Sequence, residues 1–192
     1  GIGQKEDKHK AMQYYQQASH YHYSKASFML GYMYHYGDGI SKDLEKAKEY
    51  YQLALQEGYL EAQKELDKLE VAKLEKYARL IVQSGLNVQE KQTVVISASI
   101  ESYQLVREVT KQAYLVGAKE VVVHYSDEEV TRMKYENMEV EDFNHVPTWF
   151  SSFRNDYALM NACFLYVDDE DPEMLAGIEP KKISNWQRAV KK

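Results

Sequence analysis

Six side chains able to do chemistry sit at or just past three apolar runs. Ser99 and Glu101 follow Thr93-Val94-Val95-Ile96-Ser97, and His124, Ser126 and Asp127 close the stretch from Glu120. Asp168 follows Ala162–Val167. Hydroxyls, carboxylates and an imidazole are the groups of proton transfer and substrate hydrogen bonding. These six are the candidate cleft-lining residues. Each also has a plainer use. Ser126 and Glu129 have capping-box spacing, Asp127 suits the same helix start, and Asp168–Asp171 suits a solvated loop held by Pro172. His124 at a strand end is expected to be hydrogen-bonded, and Cys163 within an apolar run reads as inert core. No residue is assigned a catalytic role.

Metal chemistry finds little support. His20-x-His22 has a spacing of two, wrong for one helix face, and neither Cys nor clustered carboxylates accompany it, so a loop or rim role is expected. There is no His-Glu-x-x-His, and after His35 only His124 and His145 remain. The expected metal set in this chain is none.

The elements that would position the six candidates read as an α/β domain. A helix over Glu70–Ser84 ends at Gly85, and Thr93–Ser97 is a buried strand. Ser102–Val116 is an amphipathic helix closed by Gly117, and Glu120–Tyr125 is a second buried strand. A helix runs from the Ser126–Glu129 turn to about Met138, and Ala162–Val167 is a third strand. Glu173–Ala176 and Lys181–Val190 are expected to be helical. Continuous β-branched strands alternating with helices predict a parallel sheet covered on both faces, with ligands beyond the strands' carboxyl ends. No glycine-rich loop follows the first strand, which argues against a dinucleotide or P-loop site.

The first part of the chain is built differently. Shifted by 36 residues, Asp7, Lys10, Ala11, Tyr14, Tyr15 and Ala18 fall on Asp43, Lys46, Ala47, Tyr50, Tyr51 and Ala54. A period of this length predicts stacked helical hairpins, with a first unit already under way at Gly1. Helices are expected from Asp7 to Ala18, over Lys25–Tyr36, and from Asp43 to a stop at Gly58, with Gly37-Asp38-Gly39 as a tight turn and Gly31 where a neighbouring backbone approaches. Ten of the 17 tyrosines fall in the first 60 residues. Near-helical apolar spacing from Leu60 to Gly85 without a Gly- or Pro-rich linker predicts a stiff junction near residue 70.

Composition narrows the classes. With 44% hydrophobic and 28% charged residues, the 192-residue chain suits one sizeable core or two small ones. The net charge of −6 is spread along it, so nucleic acid is not expected as a partner. Apolar runs such as Val121–Val123 are too short to cross a membrane. A single cysteine and no visible signal peptide fit the cytoplasm.

Two family resemblances follow from these residues. Ala26-x3-Leu30-Gly31-x2-Tyr34-x2-Gly37-x-Gly39 and Asp43-x2-Lys46-Ala47-x2-Tyr50-Tyr51-x2-Ala54-x3-Gly58 resemble the Sel-one-like repeat, a tetratricopeptide relative. That resemblance implies a scaffold at residues 1–70 presenting a concave surface to a protein partner. From Leu74 the chain resembles the thermophilic-type metalloaminopeptidases, the aminopeptidase T and S group. The resemblance is carried in order by Leu74–Val82 with Gly85-Leu86-Asn87-Val88, Gly117–Val121, Tyr125–Arg132 and Asp171–Ile183. It implies, for residues 71–192, the N-terminal α/β domain of a dimeric enzyme that removes N-terminal residues from peptides. It also implies two divalent ions, zinc or cobalt, held by a second domain that this chain does not include. The overall expectation is α and α/β: a helical-hairpin array, then a small mostly parallel sheet with helices on both faces. A non-catalytic interaction scaffold and a small-molecule-binding α/β domain are the alternatives.

Overall fold

The computed structural model describes residues 7–167 and 173–190. The chain divides into two compact units, Gly1–Lys73 and Leu74–Lys192.

The first unit shows the repeat in its caps. α1 (Lys8–His20) and α3 (Leu44–Gln56) are each 13 residues long. Asp7 accepts from the Lys10 amide at the start of α1, and Asp43 accepts from the Lys46 amide at the start of α3. These are N-caps satisfying amides that the helix itself leaves open. Between them lies α2 (Ser24–Tyr36), closed by Gly37 at φ +70°. Gly58 at φ +92° follows α3. Ala47, Tyr51 and Ala54 of α3 are wholly buried, packing with Ala62, Leu66 and Leu69 of α4 (Ala62–Leu80). At Gly31 the close neighbour is a side chain, the Tyr51 ring, rather than the expected backbone. The boundary between units falls inside α4, which continues into a π-helical turn, Ile81–Gly85.

The second unit is a three-stranded parallel sheet of order β2-β1-β3, made of β1 (Thr93–Ser99), β2 (Glu120–Ser126) and β3 (Cys163–Val167). Strand alternation sorts β1 into two faces. Val94, Ile96 and Ala98 meet Val106, Val109 and Ala113 of α5 (Tyr103–Leu115) and Ala78 of α4 in one buried cluster. Val121, Val123, Cys163, Leu165 and Val167 pack against that cluster from the flanking strands. The opposite face carries Val95 and Ser97 and lies across a cleft from α7 (Thr148–Leu159). Helices therefore cover both faces, densely on one side and incompletely on the other. Only β1 is buried along its length, Ser97 excepted. β2 is an edge strand and half-exposed, a correction to the expected buried strand, because order 2-1-3 leaves it one neighbour.

α6 (Glu128–Asn137) and a 3₁₀ segment (Val140–Asn144) precede α7, and α8 (Pro180–Val190) follows β3. Wholly buried Phe143 stacks on Tyr135 at 4.8 Å, and Asn185 and Lys182 of α8 donate to the Val140 and Tyr135 carbonyls. Glu173–Ala176 is a run of turns, not the expected helix. Gly177 follows at φ +82°, and Arg132 takes the Met174 and Ala176 carbonyls at 2.6 and 3.3 Å, replacing the bonds a continuing helix would make.

Candidate functional site

Parallel register brings four of the six sequence candidates to one edge. Ser99 of β1 pairs with Ser126 of β2, and Glu101 and Asp127 stand just beyond them. Order 2-1-3 reverses at β1, so the topological switch lies between the carboxyl ends of β1 and β3, beside Ser99. Asp168, which follows β3 in the sequence, lies outside the described residues.

The edge spends its polar groups on itself. Buried Ser99 donates to Glu101 Oε2 at 2.6 Å. Asp127, not Ser126, caps α6: its Oδ1 accepts from the Val130 amide at 3.0 Å. The expected Ser126–Glu129 capping box does not form and the cap falls one residue later, because Ser126 remains in the ladder opposite Ser99 and sends its hydroxyl to the Ala98 carbonyl at 3.4 Å.

His124 is separate from that edge. Alternation along β2 turns it to the cleft face, where its ring centroid lies 6.4 Å from that of Phe153. The expected hydrogen bond at His124 is not made by any described residue. The cleft encloses about 720 Å³ between the sheet and α7. Across its floor the register sets His124, Ser97 and Tyr166 in one row, with Val95 and Phe164 in the next. Phe150 and Phe153 form the facing wall, and Arg154 lies at the rim, 5.9 Å from the Tyr166 ring centroid. Sequence reasoning missed α7 and with it this cleft. The available signal was Trp149, Phe153 and Tyr157 at spacing i, i+4, i+8 directly after Pro147.

Cys163 faces the dense side of the sheet, its thiol 3.7 Å from the Leu86 carbonyl, and burial pushes its pKa up, away from the thiolate. His22 sits at φ +58° after α1, its Nδ1 3.2 Å from Glu57, while His20 ends α1 edge-on to Tyr21. Among the described residues no three His, Cys, Asp or Glu side chains converge as a metal cage. The described residues do not fit a resident cation. No helix among the described residues is long and apolar enough to cross a membrane.

Comparison with known proteins divides the chain in a similar way. The Sel1 repeat matches residues 1–20 and 24–59, and the family described as thermophilic metalloprotease (M29) matches residues 70–192. Aminopeptidase AmpS of Bacillus subtilis (strain 168) is 41% identical over 120 residues, 62% of this chain and 29% of the relative. Aminopeptidase 2 of Geobacillus stearothermophilus is 35% identical over 117 residues, 61% of this chain and 28% of the relative. The solved structure of wild-type AmpT from Thermus thermophilus superposes with a TM-score of 0.57 at 33% identity, covering 60% of this chain and 29% of that one. The chain thus spans under a third of the length of these relatives. By the match over residues 70–192, with Sel1 repeats ahead of it, the chain belongs to the thermophilic metalloprotease (M29) family.

Proposed function

We propose that this chain is the N-terminal portion of a metal-dependent aminopeptidase fused to protein-binding repeats. Residues 71–192 are its supporting α/β domain, and residues 1–70 are a docking array for a protein partner. The substrate class is peptides, from which N-terminal residues are released. The catalytic centre, with two divalent ions of the zinc or cobalt type, belongs to a part of the enzyme outside these 192 residues. There, paired cations would activate water and polarise the scissile carbonyl. Homodimerisation and a cytoplasmic setting complete the reading. Within it, Ser99, Glu101, Ser126 and Asp127 are wall residues at the strand ends, and His124 belongs to the sheet face.

The observation carrying this reading is 41% identity with an aminopeptidase over 120 residues. Beside it stands a described residue set in which no metal-binding group of three converges. The Sel1 match favours a second reading, a scaffold in which neither unit is catalytic. Release of p-nitroaniline from leucine p-nitroanilide with added zinc or cobalt separates them. Turnover is expected from the longest polypeptide its gene encodes and not from residues 1–192 alone. Turnover by residues 1–192 would place the site inside them, and an inactive full gene product would favour the scaffold.

A further inference from the structure

We propose that the cleft between the sheet and α7 binds a small aromatic monocarboxylate, its ring against Phe150, Phe153 and Phe164 and its carboxylate on Arg154 and His124. The floor explains why there is space. β1 is the central strand, yet at Ser97 it places a small polar side chain between two larger ones, His124 on β2 and Tyr166 on β3. The neighbouring row, with Val95 and Phe164, is apolar. Ser97 is only half-buried although both its neighbours, Ile96 and Ala98, are buried on the other face. A depression in the middle of a sheet results, roofed by aromatic rings.

The polar groups lining it are unmatched. Among the described residues Ser97 has no hydrogen-bond partner, His124 meets only the Phe153 ring, and Arg154 meets only the Tyr166 ring, with no carboxylate at ion-pair distance. Among the described residues the lining holds two basic side chains and no acidic one. A guanidinium beside aromatic surface in a concave site favours an anion with an apolar body, and a carboxylate fits the guanidinium fork. At about 720 Å³ the space is within the range of small-ligand pockets and holds one ring with a short acidic chain. A zwitterionic amino acid is a poorer match, since no described residue lining the cleft would pair its ammonium group. The assignment stands apart from the peptidase reading, because binding is measured without turnover.

Calorimetric titration of the 192-residue chain with 3-phenylpropionate, alongside 3-phenylpropionamide, tests this. One saturable site is expected for the acid, with the amide at least tenfold weaker and Trp149 emission shifting as the acid binds. Arg154→Gln should weaken the acid at least tenfold and leave the amide unchanged. Ser97→Val, filling the floor, should abolish binding of both, with circular dichroism verifying the fold of each variant. Absence of heat with the acid, equal affinity for acid and amide, or full binding by Arg154→Gln would overturn the proposal. So would binding of N-acetyl-Gly-Phe with no binding of 3-phenylpropionate, which would make a peptide C-terminus the occupant instead.

Discussion

A Cβ added to Gly31 would stand 2.6 Å from Cδ1 and 2.7 Å from Cε1 of Tyr51. The Tyr51 ring is wholly buried and is the largest such side chain of the chain's described core. Its hydroxyl lies 3.3 Å from His35 Nδ1, so the ring is fixed at its far end as well as at its flank. Helices α2 and α3 are thus keyed together by a ring laid on a bare backbone.

Gly31→Ala inserts a methyl where that ring lies. Overpacking costs about 1–3 kcal/mol, and the better helix propensity of alanine returns about 1 kcal/mol. A net loss of about 1–2 kcal/mol is expected in urea denaturation. Tyr51→Ala alone should cost about 3–5 kcal/mol through the cavity it leaves, and the double variant should fall short of the sum by about 1 kcal/mol or more, since the clash is gone. Strict additivity would contradict the contact.

The same corner makes the repeat unit sensitive to acid. Burial lowers the pKa of His35 from 6.5, helped by Lys42 and Lys68 and opposed by the Glu65 carboxylate 3.6 Å away. Burial works to raise Glu65, but hydrogen bonds from Lys68 and Tyr36 outweigh it and its pKa is lowered from 4.5. Both folded values lie below the unfolded ones, so the unfolded chain binds more protons in each window. Stability is therefore complete above 6.5 and falls with pH, first through the His35 titration and then, below 4.5, through that of Glu65. The thermal midpoint should drop between about pH 7 and 5, and His35→Gln should flatten that leg while sparing the one below. An unchanged slope in His35→Gln would assign the acid loss elsewhere.

Caps give a further test at the sheet edge. Asp127→Ala removes the acceptor for the Val130 amide and should cost about 0.5–2 kcal/mol. Ser126→Ala removes only a 3.4 Å bond to the Ala98 carbonyl and should stay within about 0.5 kcal/mol. Chemical denaturation of the two variants would show the reverse order if Ser126 were the cap.

Much of this architecture was legible because periodicity and burial agree. Of the residues that recur with the 36-residue period, Ala47, Tyr51 and Ala54 are wholly buried and their counterparts Ala11, Tyr15 and Ala18 half-buried, and Asp7 and Asp43 cap equivalent helices. Thr93–Ser97 reads as a buried strand, and the observed strand, Thr93–Ser99, lies between two others. What was missed depended on neighbours distant in sequence. Ser126 and Asp127 are both capping residues by type, and only the pairing of Ser126 with Ser99 decides between them. Glu173–Ala176 has helix-forming residues, but Arg132 from α6 claims the carbonyls. α7 has no single buried face, with Trp149 63% exposed while Phe150 and Phe153 line an open cleft, so its aromatic residues did not sort as a core helix does. Of the six site candidates, the register gathers Ser99, Glu101, Ser126 and Asp127 and sends His124 to the face.

On the proposed function, peptide cleavage requires ligands outside these 192 residues. Metal analysis by plasma mass spectrometry, after incubation of the 192-residue chain with excess zinc or cobalt and exhaustive dialysis, tests it most directly. Retention far below one ion per chain is expected, since no three ligand-type side chains converge among the described residues. One or two ions held per chain after dialysis would contradict the account.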